Sequence, residues 1–388
     1  MTAADDRRTY AMLAKPVSGA CNLRCAYCYY AGKGDVLRIE SPRMDDAVLE
    51  AYIRQSLTMH GSAARVEFAW HGGEPTLAGL EFYEKAAALE KKYLPKGWQV
   101  WNNLQTNGIL LNDAWCRFLK ENRFDVGVSI DGCEAVHDRN RRTIGGEGTF
   151  ARARRAVERL KAAGVEPDLL CTVNAASCED PLAVYRGLRE MGGSWVQFIP
   201  IVVRLPDGTL SPESVTGEMY GKFLCAAFDE WTRHDLGKMD VQLFAETARI
   251  LAGGEASVCW MSPTCGRVLI AEEDGSVYAC DHFVDDAHRL GTVQRDGIAK
   301  AAASERQIAF GDAKKRTLTA QCRACPHLRF CGGGCLKDRF GKSRDGEEGQ
   351  YALCQGLEMF FSHAVPILRR IMEKSAAGKT PDEIMKEL

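Results

Sequence analysis

The stretch Cys21-Asn-Leu-Arg-Cys25-Ala-Tyr-Cys28 places three thiols at short spacings directly after the first predicted strand, Tyr10–Lys15. Three thiolates in one tight loop can converge on a single iron–sulfur cluster, but a [4Fe–4S] cluster normally takes four cysteine ligands. Three ligands therefore leave one iron open to a ligand from outside the protein, much as a catalytic zinc keeps one open position. The alternative interpretation is a zinc site that a distant histidine or cysteine completes.

Strand-like and helix-like segments alternate around this loop, up to about residue 203. The predicted strands are short and apolar, as buried parallel strands tend to be; they are Tyr10–Lys15, Val66–Trp70, Val100–Gln105, Val126–Ile130, Leu169–Val173 and Trp195–Val202. Ser41-Pro42 predicts the start of the first helix. Such βαβ units form either a doubly wound sheet or an incomplete (β/α) barrel, and periodicity alone leaves both open. In either fold, functional groups belong at the C-terminal ends of the strands.

The composition limits the class of protein. The chain has 388 residues, 16 cysteines and a formal net charge of -2. The nearly balanced charge argues against a nucleic-acid partner, and the absence of an apolar run of about 18 residues argues against a membrane-spanning helix. The N-terminus does not resemble a signal peptide. We therefore expect a cytoplasmic protein whose clustered thiols are reduced and bind metal.

Eight further cysteines form a second constellation near the C-terminal end of the sequence. They are Cys259, Cys265, Cys280, Cys322, Cys325, Cys331, Cys335 and Cys354. Eight thiolates would fully ligate two [4Fe–4S] clusters, with four for each cluster. Two zinc sites of four thiolates each are the alternative, which the spacing does not exclude.

The first cysteine motif, with Tyr27 before its third cysteine, resembles the radical S-adenosylmethionine (SAM) superfamily. The segment His71-Gly-Gly-Glu-Pro75 is similar to that family's Gly-Gly-Glu-Pro segment, which supports the SAM amino group. The resemblance implies that Cys21, Cys25 and Cys28 bind a [4Fe–4S] cluster whose open iron SAM chelates. One electron would then cleave SAM to methionine and a 5′-deoxyadenosyl radical. The resemblance also implies SAM contacts by Tyr27, Gly73, Ser129, Arg141 and the region of Val202.

The second constellation resembles the SPASM extension of radical SAM enzymes. This resemblance implies one auxiliary cluster on Cys259, Cys265, Cys280 and Cys335, and another on Cys322, Cys325, Cys331 and Cys354. The expected cofactors are therefore three [4Fe–4S] clusters and SAM. The expected α/β fold is a partial (β/α)6 radical SAM barrel over 1–203, a connecting helical region over 204–258, and a cysteine-rich SPASM domain over 259–388. The last contains a β-hairpin at Asp274-Gly275 and a C-terminal helix.

Among SPASM families, the chain is most similar to the anaerobic sulfatase-maturating enzymes. The similar stretches include Trp70–Gly79, Leu104–Leu111, Val277–Phe283 and Cys331–Phe340. The resemblance implies oxidation of a Cys or Ser in an unfolded sulfatase polypeptide to Cα-formylglycine, with electrons from a separate ferredoxin or flavodoxin. Asp281 matches the family's proposed proton acceptor; its alternative interpretation is a residue that caps a turn.

Two other functions stay open at this point. One is a SPASM enzyme that crosslinks or otherwise modifies a ribosomal peptide. The other is a non-catalytic binding module that zinc or clusters stabilise. Neither nucleic acid nor a membrane is an expected partner.

Overall fold

A ten-stranded sheet lies at the centre of the computed structural model, which describes residues 11–30, 43–59 and 65–388. The strands are β1 (Ala11–Ala14), β2 (Arg65–Trp70), β3 (Gln99–Thr106), β4 (Phe124–Ser129), β5 (Pro167–Val173), β6 (Trp195–Pro200), β7 (Asp240–Val241), β8 (Val268–Ala271), β9 (Ser276–Tyr278), β10 (Arg289–Thr292), β11 (Gly341–Lys342) and β12 (Glu348–Gln350). The first ten form the large sheet, in the order β10-β9-β8-β1-β2-β3-β4-β5-β6-β7, and β11 pairs with β12.

Fourteen α-helices are found in the described residues. They are α1 (Asp46–Met59), α2 (Leu80–Tyr93), α3 (Asp113–Glu121), α4 (Glu134–Asn140), α5 (Phe150–Ala162), α6 (Pro181–Glu190), α7 (Gly217–His234), α8 (Gln242–Leu251), α9 (Ile298–Ala302), α10 (Glu305–Arg316), α11 (Ala320–Ala324), α12 (Leu328–Cys331), α13 (Cys354–Ala376) and α14 (Pro381–Glu387). In the described residues, no helix has both the length and the apolar composition that a bilayer crossing requires.

The order of the parallel strands decides between the two folds that the sequence left open. Strands β1 to β6 are parallel neighbours in the order of the chain. With right-handed crossovers, steps that all run in one direction place the helices on the same face of the sheet. A doubly wound sheet would instead reverse direction at a switch point. The six predicted strands are therefore confirmed as an incomplete barrel, and the last of them ends at Pro200 rather than Val202.

The sheet also extends into the cysteine-rich part of the chain. Strand β8 pairs parallel to β1, with Leu13 opposite Ile270, and β9 returns antiparallel to β8. The predicted hairpin is confirmed, and its turn uses Gly275 at a positive φ of 81°. One continuous sheet thus joins the predicted barrel to the predicted SPASM domain. The division at residues 203 and 258 stays a prediction.

Two aromatic layers pack the helices onto the rest of the molecule. Trp70 lies against the rings of Tyr52 and Tyr83, which fixes α1 and α2 to the sheet. In a second aromatic contact, Phe244 stacks on Phe360 and so joins α8 to α13. The C-terminal helix therefore docks on the predicted connecting region, as expected for a long amphipathic helix that must bury one face.

The start of α1 differs from the sequence prediction. The predicted cap, Ser41-Pro42, lies outside the described residues, and the helix begins at Asp46. The Asp45 carboxylate accepts a hydrogen bond of 2.8 Å from the Val48 N–H, so Asp45 satisfies one of the free donors of the first turn. Aspartate is as good an N-cap as serine, and an apolar pattern does not specify which of them is used.

Candidate active site

The three-cysteine loop follows β1 at the edge where the parallel strands end. The Leu23 N–H lies 3.3 Å from the Cys21 sulfur, and the Cys28 N–H donates to the Cys25 carbonyl at 3.2 Å. Burial raises the pKa of Cys21 to about 12 and that of Cys25 to about 11. A bound cluster would supply the positive charge that keeps these sulfurs as thiolates. Three soft sulfur ligands in one loop fit a cluster of the expected kind.

The Gly72-Gly73-Glu74 segment packs directly beneath this loop. The Gly73 N–H donates to the Ser18 carbonyl at 2.7 Å, and the Glu74 N–H donates to the Ala20 carbonyl at 2.8 Å. A Cβ on Gly73 would lie only 2.1 Å from the Ala20 carbonyl oxygen. The glycine is needed for this close approach of two loops, and its predicted contact with SAM stays a prediction.

The buried Glu74 carboxylate ties the loops after β1, β2 and β3 together. It accepts hydrogen bonds from the Thr106 hydroxyl at 2.7 Å and the Asn107 N–H at 2.8 Å. The Asn107 side chain in turn donates to the Asn22 side-chain oxygen at 2.8 Å, next to Cys21. Burial raises the pKa of Glu74, and these donors partly offset that effect. The motif that sequence analysis assigned to SAM thus also holds the cysteine loop in place.

Two of the predicted SAM-contacting residues meet at a buried aspartate. The Tyr27 hydroxyl donates to Asp131 at 2.8 Å, and Arg141 donates to both oxygens of the same carboxylate at 2.9 and 3.1 Å. Burial opposes ionisation of Asp131, but the Arg141 charge outweighs it and lowers the pKa. The prediction had Arg141 donating to SAM; the structure shows that Nε and Nη2 are already engaged by Asp131.

The other two predicted SAM contacts also follow strands that end at this edge. The Ser129 hydroxyl accepts a hydrogen bond of 3.0 Å from the Gln105 side chain, which joins the ends of β3 and β4. Val202 is buried just after β6, and its carbonyl lies 3.4 Å from the Lys337 ammonium. All five predicted residues are thus at one end of the barrel, as parallel strands require. Their contacts with SAM stay predictions.

The eight later thiols separate into the two predicted groups. Cys322, Cys325, Cys331 and Cys354 line one small cavity with Tyr351 and Phe361. In the other group, burial raises the pKa of Cys280, and the neighbouring Cys335 and Cys259 raise it further. Cys265 likewise lies close enough to Cys259 to raise its pKa, after the larger effect of burial. Two separate sets of four thiols fit two auxiliary clusters.

The described residues were also searched for a site that could bind a single metal ion rather than a cluster. Within residues 11–30, 43–59 and 65–388, no three histidine, cysteine or carboxylate side chains converge in the geometry that one ion requires.

Asp281 lies between the cysteine loop and the second constellation. The Lys15 ammonium forms an ion pair with it, and the hydroxyls of Tyr29 and Tyr30 donate to it at 2.5 and 2.9 Å. Burial opposes ionisation, but the Lys15 charge outweighs it and holds the pKa of Asp281 well below its usual range. The carboxylate is thus ionised at neutral pH and one-fifth exposed.

Sequence reasoning missed the buried charges next to Asp281, Lys15 and Glu272. Lys15 is fully buried and lies 3.1 Å from a second carboxylate, Glu272, at the end of β8. The sequence shows Lys15 only as a lysine at the end of an apolar strand. Its burial next to Glu272 becomes predictable only once β1 is known to pair with β8.

Comparison with known proteins shows which families this chain is similar to. Residues 16–176 match the radical SAM superfamily, and residues 259–326 match an iron–sulfur cluster-binding domain described as SPASM. A serine-type anaerobic sulfatase-maturating enzyme from Bacteroides thetaiotaomicron is 38% identical over an alignment of 394 positions. That alignment, gaps included, covers 97% of this chain and 94% of the relative. A cysteine-type enzyme from Clostridium perfringens is 35% identical and covers 92% of this chain and 96% of the relative.

A solved structure is similar over the same length. It is described as native anSMEcpe with bound AdoMet and Cp18Cys peptide, has a TM-score of 0.85 and 33% sequence identity, and covers 94% of this chain and 99% of that chain. The domain matches imply SAM and three [4Fe–4S] clusters as cofactors. Identity above one-third along nearly the full length, together with the cysteine loop and the two sets of four thiols, establishes that the chain belongs to the anaerobic sulfatase-maturating enzymes of the radical SAM superfamily.

Proposed function

We propose that this enzyme oxidises a Cys or Ser residue of an unfolded sulfatase polypeptide to Cα-formylglycine. The observation that carries the proposal is the nearly full-length similarity to both serine-type and cysteine-type anaerobic sulfatase-maturating enzymes. The solved relative described with AdoMet and the Cp18Cys peptide supports a peptide substrate. The preference between Cys and Ser is not part of the proposal, because relatives of both types are similarly close.

When bound, SAM and the three clusters supply a hydrogen-abstracting radical and accept one electron from the substrate. Cys21, Cys25 and Cys28 would hold the cluster that SAM chelates. Tyr27 and Arg141, fixed by Asp131, would line the SAM site, as would Gly73, Ser129 and Val202. Because the buried Asp131 carboxylate accepts from both Tyr27 and Arg141, these two side chains are held in place without SAM.

The residue that we propose as proton acceptor is Asp281. Oxidation of a Cys side chain to a thioaldehyde removes one hydrogen atom from Cβ, one proton from sulfur and one electron; water then gives the aldehyde and hydrogen sulfide. Asp281 is ionised and exposed enough to meet a substrate thiol or hydroxyl, so one of its oxygens can take the proton. Its low pKa makes it a weak base in the resting enzyme. Substrate therefore has to displace a donor, and of the donors described here Tyr29 is the most exposed.

The remaining partners and the location are also part of this proposal. An external ferredoxin or flavodoxin would reduce the enzyme. We place the enzyme in a reducing compartment such as the cytoplasm, because thiols that bind iron–sulfur clusters have to stay reduced. The protein would act without nucleic acid or membrane.

The proposed function is tested by mass spectrometry of a sulfatase peptide after anaerobic incubation with the cluster-loaded enzyme, SAM and dithionite. We expect a Cys peptide to exchange its sulfur for a carbonyl oxygen and a Ser peptide to lose two hydrogens, with 5′-deoxyadenosine formed alongside. A crosslinked product that retains sulfur would instead favour the peptide-crosslinking alternative.

The role of Asp281 is tested in the same assay with Asp281→Asn. We expect the formylglycine rate to fall by about 100-fold or more, the usual contribution of a general base, while 5′-deoxyadenosine still forms. Asp286→Asn, at an exposed position in the same loop, is the matched control. Wild-type formylglycine formation by an iron-loaded Asp281→Asn enzyme would show that another group accepts the proton.

A further inference from the structure

Lys314 is a fully buried lysine that no sequence motif singled out. It lies near the end of α10, and its ammonium donates to the carbonyls of Cys259 and Trp260 at 2.8 Å each and to that of Ser262 at 2.5 Å. These three carbonyls belong to the turn that begins with the predicted ligand Cys259 and leads to Cys265. One side chain therefore holds the backbone of a cluster-binding turn from within.

The three acceptors favour the ammonium form of Lys314; burial lowers its pKa, and the nearby Cys265 and Cys259 sulfurs partly offset that effect. Three carbonyl oxygens within hydrogen-bond distance require three N–H donors, and only the ammonium form of lysine has three. A neutral amine would leave one buried carbonyl facing a lone pair, which costs free energy in a dry site. The side chain is thus a buried positive charge whose acceptors are all neutral carbonyls.

The charge is directed at one set of thiols. Lys314 interacts electrostatically with Cys265, Cys259 and Cys335, which are three of the four predicted ligands of one auxiliary cluster.

Arg339 makes a useful contrast because it faces both sets of thiols. Its guanidinium donates to the Lys314 carbonyl at 2.6 Å and to the Gly333 carbonyl at 2.9 Å. It interacts with Cys322 and Cys331 of one set as well as with Cys265 and Cys335 of the other. Of these two buried cations, only Lys314 faces a single set of thiols.

We propose that Lys314 is a positioning residue that shapes the Cys259–Cys265 turn, and that its charge raises the reduction potential of the cluster held by Cys259, Cys265, Cys280 and Cys335. A nearby positive charge stabilises the reduced cluster, which carries one more negative charge than the oxidised one. In the proposed reaction, this cluster would accept the one electron that the substrate loses, and Asp281 would accept the substrate proton. The electron route rests on the proposed function; the effect on the potential does not.

The experiment is a redox titration of the cluster-loaded enzyme, followed by electron paramagnetic resonance without SAM or peptide. The variants are Lys314→Met, which removes charge and donors, Lys314→Gln, which keeps a donor without charge, and Lys314→Arg, which keeps the charge. Lys315→Met is the matched control, since Lys315 is the next residue of α10 and is exposed. Iron and sulfide are measured in each sample.

We expect the neutral variants to lower the potential of one auxiliary cluster by an amount equivalent to about a tenfold change in its reduced-to-oxidised ratio, or about 59 mV for one electron. The other two clusters, Lys314→Arg and Lys315→Met should keep the wild-type potential. Loss of about four irons from Lys314→Met but not from Lys315→Met would support the positioning role.

A fully loaded Lys314→Met or Lys314→Gln enzyme with three unchanged potentials would overturn the proposal, as would an equal shift of all clusters. Because these measurements need no substrate, they separate a failure of this proposal from a failure of the formylglycine assay.

Discussion

Replacing Asp131 with Asn is the perturbation whose cost the structure defines best. The carboxylate is completely buried and accepts four hydrogen bonds, from the Tyr27 hydroxyl, two Arg141 nitrogens and the Thr172 N–H. Asn keeps the shape but removes the charge, and its amide group cannot accept at one of the two positions. Arg141, only 8% exposed, would then be an uncompensated buried cation.

Breaking a buried ion pair by removing one partner typically costs about 3–5 kcal/mol. We therefore expect Asp131→Asn to lower the free energy of unfolding by about that amount, and to weaken SAM binding because Tyr27 and Arg141 lose their common anchor. The matched control is Glu179→Gln, which removes the partner of Arg139 on α4. Both of those side chains are more than half exposed, so that pair should contribute no more than about 1 kcal/mol.

The assay is anaerobic urea unfolding of the cluster-loaded proteins, followed by both tryptophan fluorescence and circular dichroism. Free energies are compared only where the two transitions coincide, because cofactor-bound chains can depart from two-state behaviour. The SAM dissociation constant is measured by titration calorimetry. An Asp131→Asn protein that is destabilised no more than Glu179→Gln would refute the reasoning that this buried pair organises the SAM site.

Three further predictions concern other parts of the structure. Gly73→Ala should lose SAM cleavage because the new Cβ would meet the Ala20 carbonyl, whereas Gly145→Ala, whose nearest atom would be 3.6 Å away, should retain it; a deoxyadenosine assay checks both. Burial lowers the pKa of His137 to about 4. Below about pH 6.5 the unfolded chain therefore binds a proton that the folded protein does not. The free energy of unfolding should fall for this reason by up to about 3 kcal/mol between about pH 6.5 and about pH 4. Urea unfolding across that range should show this component disappear in His137→Gln, and an unchanged slope would contradict it. Cys331→Ala should lose up to about four irons per chain by elemental analysis, and an unchanged iron content together with an unchanged paramagnetic resonance spectrum would contradict its role as a ligand.

Much of the fold and of the metal chemistry was predictable from the sequence, because these features are encoded in short spacings. Three cysteines within eight residues can only form one loop, and apolar runs of strand length predict a buried parallel sheet. The division of the eight later thiols came from the family resemblance, and the cavity lined by Cys322, Cys325, Cys331 and Cys354 agrees with it. Helix starts were less certain, as Asp45 shows, since several residue types cap a helix equally well.

The tertiary structure decided the features that depend on partners far apart in the chain. The strand order settled the barrel, because each segment has the same pattern in a doubly wound sheet. Tyr27 and Asp131 are 104 residues apart, and Lys15 meets Asp281 only because β1 pairs with β8.

The sequence by itself determined the alternating α/β architecture and, through the family resemblance of its cysteine motifs, the expected cofactors; only the tertiary structure decided how buried charges are paired. Lys314 illustrates the reason. In the run Lys314-Lys315-Arg316 it resembles any solvated basic residue at the end of a helix, where positive charge is favourable. Its burial against three carbonyls follows from how α10 packs on the Cys259–Cys265 turn, which is a long-range contact that local composition does not encode.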